Sequence, residues 1–275
     1  MTKPLPTGFL VGMAGTLALF VSFHVSANER EDKRSLYPPG KLGETVRLGE
    51  ELVKRTQEHP LAKPYVGNSL NCTSCHLEAG THPRAATFLG TARAYPAWSP
   101  REQRVITLED RVLNCFMRSQ NGVRPPKGSR VSVAITTYIT WLSSDQPITM
   151  NHDKPLGPNH LKLIKQERAA ADPKRGATLY RRHCADCHGE RGEGLDDAPP
   201  VWGPRSYNSG AGLATNHKLA SWLKVAMPPG EPLASQRDVL DIAAYVNSKP
   251  RPKFVLREHL PASHRLGEYN AEKAE

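Results

Sequence analysis

The chain is short of the features that mark membrane-spanning and nucleic-acid-binding proteins. Apolar residues make up 38% of its 275 residues and the mean hydropathy is -0.52, which excludes a protein with many membrane spans. Aromatic residues account for only 7%, and the basic residues behind the net charge of +10 are scattered rather than grouped. Nucleic-acid-binding surfaces cluster basic residues and interleave aromatic ones, so we expect no nucleic acid partner. Patterns typical of β-strands are also missing, which predicts a mostly α-helical fold.

One long apolar run lies close to the N-terminus. It extends from Phe9 to Val25, follows the basic Lys3, and ends in the small residues of Val25-Ser26-Ala27. This order is typical of an export signal with a signal-peptidase site, and polar residues follow from Asn28 onwards. We therefore predict a signal peptide at 1–27, a periplasmic protein, and no stable membrane span in the mature chain. The run is also nearly long enough to remain as an anchor helix, an alternative that the sequence leaves open.

Four of the five cysteines form two matched Cys-X-X-Cys-His motifs, CTSCH at residues 72–76 and CADCH at residues 184–188. Cysteines three positions apart can each bond to a vinyl group of one porphyrin, and the adjacent histidine then faces the iron. The motifs therefore predict two covalently bound haem c groups. The predicted attachment residues are Cys72, Cys75, Cys184 and Cys187, and the predicted proximal ligands are His76 and His188.

Other interpretations of the two motifs explain less. A zinc ribbon has about 15–20 residues between its cysteine pairs, far fewer than separate Cys75 from Cys184. A thioredoxin-like dithiol needs neither the histidine nor a second copy, and it expects a βαβ context that this sequence does not show. Disulfides between these cysteines stay open, but they do not account for a histidine at the same place twice.

A second iron ligand is predicted in the second half of the chain. Met227 follows His188 and lies in a Met-Pro-Pro-Gly segment just before the last predicted helix. Here the chain resembles the class I cytochrome c domain, whose distal methionine sits in such a loop and raises the reduction potential. Methionine is more often only a core residue, but the flanking prolines favour a rigid loop at this position. His217 and Lys224 are the rival ligands.

Together with the two motifs, the resemblance to class I cytochrome c implies a mostly α-helical fold of two class I cytochrome c-like domains, each carrying one covalently bound haem c. A helix is predicted from Leu42 towards Pro60, where proline should stop it, and a long ordered loop is predicted from Gly80 to Trp98. Further helices are predicted at 108–120, 131–142, 176–182, 219–226 and 238–248. The predicted divisions are the signal peptide 1–27, an N-terminal haem domain 28–150, a linker 151–172, a C-terminal cytochrome c domain 173–250 and a polar surface tail 251–275.

The fifth cysteine, Cys115, lies on a predicted helix that begins with a capping box at Thr107 and Asp110. Residues three and four positions apart share a helix face, so Arg111 and Arg118 are expected beside its thiol. Neighbouring cations favour the thiolate, which is the form that binds iron and attacks sulfur. Cys115 can also be read as a buried core thiol or as half of an intermolecular disulfide. The other candidates for a distal ligand in this half are Met117, Met150, His82 and His59.

Several segments around Cys115 carry a resemblance to a known family. They are Tyr95-Pro96, Arg101 and Arg104, Leu108-Glu109-Asp110-Arg111-Val112, Cys115-Phe116-Met117-Arg118-Ser119-Gln120-Asn121-Gly122, Tyr138, and Trp141-Leu142-Ser143. Together with the two haem motifs and the loop at Met227-Pro228, these segments resemble the dihaem thiosulfate dehydrogenase family over residues 40–250.

The resemblance implies a reaction and a set of residue roles. Two thiosulfate ions would be joined oxidatively into tetrathionate in the periplasm, a reaction that some relatives run in reverse. A small periplasmic c-type cytochrome would accept the two electrons. Cys115 would be the axial thiolate of the first haem, opposite His76, and also the residue at which substrate reacts. Arg101 and Arg111 would hold the anionic substrate.

The same resemblance assigns the second haem, the exit for electrons, to His188 and Met227. Some family members have a lysine directly before the distal methionine and exchange the two as ligands. This chain has Ala226 at that position. The exchange is therefore not expected here, and Lys224 is at best a weak substitute.

Elementary chemistry agrees with the implied reaction. Joining two dianions requires positive charge, which Arg101, Arg104, Arg111 and Arg118 offer within a basic chain. Forming a sulfur–sulfur bond suits a soft, nucleophilic thiolate. Two other functions remain as alternatives: a non-catalytic dihaem electron-transfer cytochrome, and the haem subunit of a multi-protein sulfur-oxidising complex.

Overall fold

The computed structural model describes residue 1 and residues 37–144, 146–164 and 171–261, and the described residues from Pro38 onwards belong to one compact unit. Apart from Met1, the predicted signal peptide lies outside the described residues, as do residues 262–275 of the predicted tail. Within the described part, no helix has the length and apolar character needed to cross a membrane. The α-helices are α1 (Gly40–Lys54), α2 (Leu108–Arg118), α3 (Arg130–Trp141), α4 (Pro173–His183), α5 (Ala185–His188), α6 (Asn216–Ala226), α7 (Gln236–Asn247) and α8 (Leu256–His259), and the strands are β1 (Ala97–Ser99) and β2 (Arg104–Ile106).

The mostly helical fold predicted from the sequence is confirmed. Helices α2, α3, α4, α6 and α7 fall within about one turn of the predicted bounds. Short 3-10 turns connect them at Lys63–Tyr65, Cys72–Ser74, Glu78–Gly80, Thr91–Ala94 and Gly212–Ala214. The residues 189–204 and 151–164 carry no regular helix or strand, as the glycine and proline content of both stretches led us to expect.

Helix α1 packs against α3 at a close crossing. A Cβ atom at Gly49 would lie 2.1 Å from the carbonyl oxygen of Ala134, so only glycine allows the two backbones to approach this far. The helix ends at Lys54, short of the proline that was expected to stop it. Beyond that point the hydroxyl of Thr56 accepts a hydrogen bond from the backbone N–H of Cys72 at 3.0 Å. Because the helix ends at Lys54, Thr56 is positioned to support the first cysteine motif.

The second half of the chain is built around the pair α4 and α7. The N-terminus of α4 is capped by Asp172, whose own backbone N–H donates to the buried carboxylate of Asp241 at 2.7 Å. At Gly176 an added Cβ would lie 2.0 Å from the carbonyl oxygen of Asp241, so this crossing also requires glycine. Aromatic rings fill the space beside α4, with Tyr180 and Trp202 at a centroid distance of 4.9 Å.

A small antiparallel hairpin interrupts the region predicted as a long loop before α2. Strands β1 and β2 pair with Trp98 opposite Val105. Each strand has only three residues, which is too short for an alternating pattern to be visible in the sequence. The hairpin leads directly into Thr107, the residue that caps α2.

The described part of the predicted surface tail does not behave as a solvated extension. Leu256 and His259 of α8 are 8% and 7% exposed. Nδ1 of His259 lies 2.8 Å from the carbonyl oxygen of Gly122, just beyond α2. The interpretation of residues 251–261 as a solvated surface tail was therefore wrong, because the apolar residues among the charged ones pack against the N-terminal half.

Candidate active site

The first Cys-X-X-Cys-His motif begins in the 3-10 turn Cys72–Ser74 and leads directly to His76. Nδ1 of His76 lies 2.5 Å from the carbonyl oxygen of Ala86, and its ring stacks on Phe88 at a centroid distance of 4.3 Å. An Nδ1–H donated to a carbonyl leaves Nε2 free to bind a metal. Burial lowers the pKa of His76 to about 4, so the ring is neutral at pH 7. The orientation of His76 and its neutral ring are therefore those that an iron ligand needs.

His188 repeats this arrangement in the second motif. Its Nδ1 lies 2.8 Å from the carbonyl oxygen of Pro199, and burial lowers its pKa as well. The accepting carbonyls follow their histidines by 10 and 11 residues, each in the loop after its motif. The two halves of the chain therefore orient their histidines in the same way.

A cavity of about 290 Å³ brings together the residues predicted to hold the second haem. Its lining includes Cys184, Cys187, His188 and Met227, surrounded mainly by apolar side chains. Met227 follows Ala226, the last residue of α6, and has an extended backbone conformation. A thioether, an imidazole and two thiols around an apolar cavity are the groups that a covalently attached haem with His/Met ligation requires. The residues of this site fit haem c.

All five cysteines are free thiols. Burial raises the pKa of Cys75 to about 12 and those of Cys72 and Cys184 to about 11, so these thiols stay protonated at neutral pH. No group of three or more His, Cys, Asp or Glu side chains is arranged to hold a metal ion within the described residues. The cavity beside the second motif, by contrast, has the lining that haem c requires.

Helix α2 carries Cys115 next to the first motif. The predicted capping box is present, since the side chain of Thr107 accepts from the N–H of Asp110 at 3.1 Å and the carboxylate of Asp110 accepts in return. Nη1 of Arg111 donates to Sγ of Cys115 at 2.9 Å. Cys115 is the largest cause that raises the pKa of Arg111. The pKa of Cys75 is raised first by burial and second by Cys115. Both effects require Cys115 to lie close to Arg111 and to the first motif.

A buried network holds a neighbouring face of α2. Asp110 and Asn114 lie one turn apart, about 100° round the helix from Arg111 and Cys115. Arg124 is 1% exposed and donates to Asp110 Oδ1 at 2.9 Å and to Asn114 Oδ1 at 2.8 Å. The network fixes the rotation of α2 and therefore the direction in which the Cys115 thiol points.

Two of the four arginines expected around the substrate are engaged elsewhere. Arg104 pairs with Glu102 at 3.1 Å and lies 3.7 Å from Asp110, so carboxylates neutralise its charge. Arg118 is 3% exposed, and its guanidinium carbon lies 4.2 Å from the ring centroid of Phe254. Arg118 is thus covered by the C-terminal segment, which packs over the last turn of α2.

The charges of Arg101 and Arg111 both act on Lys218, a residue that the sequence analysis did not identify. Arg101 lies in the turn between β1 and β2. Lys218 belongs to the first turn of α6, and its pKa is lowered by burial and then by the charges of Arg101 and Arg111. The structure therefore gathers three basic side chains near Cys115. A solitary lysine in a helix carries no sequence signal that would have identified it.

Two aromatic residues lie near Cys115 and the first motif. Tyr95 is 6% exposed, and burial raises its pKa to about 12, with smaller opposing effects from Arg111 and Cys115 that place it beside both. Trp222 of α6 donates from Nε1 to the carbonyl oxygen of Cys75 at 2.9 Å. Helix α6 is thereby docked on the first motif.

The other candidate distal ligands of the first half are either buried in the core, exposed, or hydrogen-bonded to nearby backbone. Met117 is 0% exposed within the core, whereas Met150 is 59% exposed. Nδ1 of His59 accepts the backbone N–H of Leu61 at 3.2 Å, and Nδ1 of His82 accepts that of Ala85 at 3.0 Å. Among the candidates named from the sequence, Cys115 has the strongest case as the partner of His76.

Comparisons with known proteins agree with this arrangement. Residues 62–148 match the family described as "SoxA/TsdA, cytochrome c domain", and residues 171–246 match "Cytochrome C oxidase, cbb3-type, subunit III". The prediction of two cytochrome c-like domains is therefore confirmed.

Curated relatives and a solved structure point to one family. The chain is 36% identical to the thiosulfate dehydrogenase of Allochromatium vinosum over 80% of this chain and 83% of the relative. It is 33% identical to that of Thiomonas intermedia over 80% of this chain and 70% of the relative. The solved thiosulfate dehydrogenase (TsdBA) from Marichromatium purpuratum superposes with a TM-score of 0.74 at 36% identity over 80% of this chain, which spans 48% of that longer chain. The protein described here therefore belongs to the thiosulfate dehydrogenase family.

Proposed function

We propose that the protein is a periplasmic dihaem cytochrome c that joins two thiosulfate ions into tetrathionate and passes the two released electrons to a small c-type cytochrome. The observation that carries the proposal is the 2.9 Å contact between Arg111 and Cys115, beside the first haem motif of a chain in this family. The predicted signal peptide supports the periplasmic location.

Thiosulfate is a dianion with a soft terminal sulfur, and the site suits both properties. Positive charge near Cys115, from Arg101 and Arg111, offsets the repulsion between two such ions. The Sγ atom of Cys115 is a soft nucleophile suited to exchange at sulfur. Each thiosulfate gives up one electron and one sulfur–sulfur bond forms, so the reaction consumes no proton and needs no further substrate.

Haem bound at the two motifs would accept these electrons one at a time. His76 and Cys115 would hold the first iron, while His188 and Met227 would hold the second. The role of the chain is orientation, since the backbone carbonyls opposite Nδ1 of each histidine turn Nε2 towards the ligand position.

The two haem sites are in direct structural contact, which supports electron transfer between them. Cys75 of the first motif lines the same cavity as His188 and Met227. Its carbonyl oxygen accepts the indole N–H of Trp222 at 2.9 Å. Electrons that leave the substrate site therefore have a short protein path to the second site.

The test uses purified, haem-loaded protein and an artificial electron acceptor. We expect thiosulfate alone to reduce the acceptor, and we expect Cys115→Ala to abolish the reaction while both haems stay attached. Met150→Leu serves as the matched control, because Met150 is exposed and should leave the rate unchanged. Full activity in Cys115→Ala would refute the role of Cys115. A wild type without thiosulfate- or tetrathionate-linked turnover would favour a pure electron-transfer cytochrome.

A further inference from the structure

Lys218 lies in the first turn of α6, in the C-terminal domain, yet its electrostatic neighbours belong to the N-terminal domain. The residues that act on its charge are Arg101, in the turn between β1 and β2, and Arg111, which bonds to Cys115. Lys218 therefore reaches the surroundings of the thiol from the opposite domain.

The packing of α6 on the first motif explains how Lys218 comes to lie near the thiol of Cys115. Trp222 is 5% exposed and donates to the carbonyl oxygen of Cys75 at 2.9 Å, which fixes this face of the helix on the first motif. Lys218 lies one turn before Trp222, on the same face. Helical side chains lean towards the N-terminus, so the Lys218 side chain extends beyond Trp222 along the first motif.

The charge arrangement at this point is unfavourable unless an anion binds. Lys218 is half-buried, and it forms no ion pair with a carboxylate of the described residues. Glu102, a carboxylate that acts on the neighbouring Arg111, already pairs with Arg104 and Asn114. Burial and the like charges of Arg101 and Arg111 all lower the pKa of Lys218, as expected for a lysine that lacks a carboxylate partner.

Arg111 and Lys218 differ in what they can offer to a substrate. Arg111 already donates to Cys115, which uses part of its hydrogen-bonding capacity. Lys218 has three donors and no recorded side-chain partner in the described chain. The positive end of the α6 macrodipole adds to the potential at the same place.

We propose that Lys218 binds the oxygen atoms of the sulfur oxyanion substrate, so that the thiosulfate site is completed by the C-terminal domain. This inference rests on the proposed function and adds to it a residue and a location. The site would take dianions that carry a sulfonate-type group, such as thiosulfate and tetrathionate. Lys218 contributes charge and hydrogen bonds to binding, whereas the reacting sulfur meets Cys115.

The experiment compares Lys218→Met, which removes the charge and keeps the length, with Lys174→Met. Lys174 is an exposed lysine of α4, so the control loses the same charge away from the site. Tetrathionate binding to the fully oxidised, haem-loaded protein is measured by calorimetry, and KM and kcat for thiosulfate are measured separately. A lost charge-assisted hydrogen bond predicts that Lys218→Met weakens tetrathionate binding and raises KM by about tenfold or more, with a much smaller change in kcat.

The outcomes separate this inference from the proposed function. If wild type binds tetrathionate and Lys218→Met binds it equally well, the role of Lys218 is refuted while the proposed function stands. If wild type neither binds tetrathionate nor oxidises thiosulfate, the proposed function fails and the inference fails with it. Lys218→Arg keeps the charge and should retain most of the affinity. A loss in Lys218→Arg as large as in Lys218→Met would show that packing, and not charge, is responsible, and would also refute the role.

Discussion

The buried network behind α2 allows one stability prediction to be worked out in detail. Arg124 is 1% exposed and bonds to both Asp110 and Asn114. In Arg124→Met the side chain remains long and apolar, but the buried carboxylate and amide oxygens each lose a donor. The matched control is Arg130→Met, because Arg130 is an exposed arginine at the start of α3.

Breaking a buried ion pair by removing one partner costs about 3–5 kcal/mol. Asp110 keeps other partners, since Lys127 lies 3.3 Å away and the backbone N–H of Thr107 donates to it at 3.1 Å. We therefore expect the lower end of this range, a loss of about 3 kcal/mol in the free energy of unfolding. The exposed control should change by less than about 0.5 kcal/mol.

The assay is urea unfolding of the haem-loaded variants, followed by circular dichroism at pH 7 and again near pH 3. Burial raises the pKa of Asp110, but the Thr107 backbone, Arg104 and Lys127 lower it more, so the net shift is downwards. A lowered pKa means that the charged carboxylate stabilises the fold above its unfolded pKa of about 3.9 and stops doing so as the pH falls through the folded value. The difference between wild type and Arg124→Met should therefore shrink at pH 3.

Two results would refute this reasoning. A loss below about 1 kcal/mol in Arg124→Met at pH 7 would mean that the network contributes no more than an ordinary hydrogen bond. A loss that stays the same at pH 3 would mean that the charge of Asp110 is not its source.

Two shorter predictions concern the second haem site and its link to the first. In Met227→Leu the second haem loses a thioether ligand, so its reduction potential should fall while that of the first stays unchanged in a potentiometric titration; equal potentials in wild type and variant would rule out Met227 as a ligand. Trp222→Phe keeps the aromatic ring but removes the donor to Cys75, which should lower the free energy of unfolding by about 1 kcal/mol in the same urea assay. No measurable change would mean that water replaces the indole N–H.

Local signals in the sequence were sufficient for the longer helices and for the haem-binding motifs. The capping box at Thr107 and Asp110 involves residues three positions apart, so it can be recognised without knowledge of the fold. The pairing of Arg111 with Cys115 is also local, because residues four apart meet on a helix face whatever surrounds it.

Features that depend on distant parts of the chain could not be predicted in this way. Arg118 satisfies the same helical spacing rule as Arg111, but Phe254 of the C-terminal segment packs against it. Arg124 follows α2 in an irregular proline-containing stretch, and only the tertiary fold shows that it binds Asp110. Lys218 escaped notice for the same reason, since its neighbours Arg101 and Arg111 belong to the other domain.

Helix α6 connects the surroundings of Cys115 to the cavity lined by His188 and Met227 in a single rigid element. Its first turn carries Lys218 and its middle carries Trp222, and Met227 follows directly after its last residue, Ala226. An α-helix rises about 1.5 Å per residue, so the eight steps from Lys218 to Ala226 span about 12 Å with little freedom to change. Because the indole of Trp222 holds the middle of this helix on Cys75, the lysine proposed to bind substrate and the methionine proposed to bind the second iron are positioned by the same contact. A displacement of α6 would therefore disturb substrate binding and electron exit together.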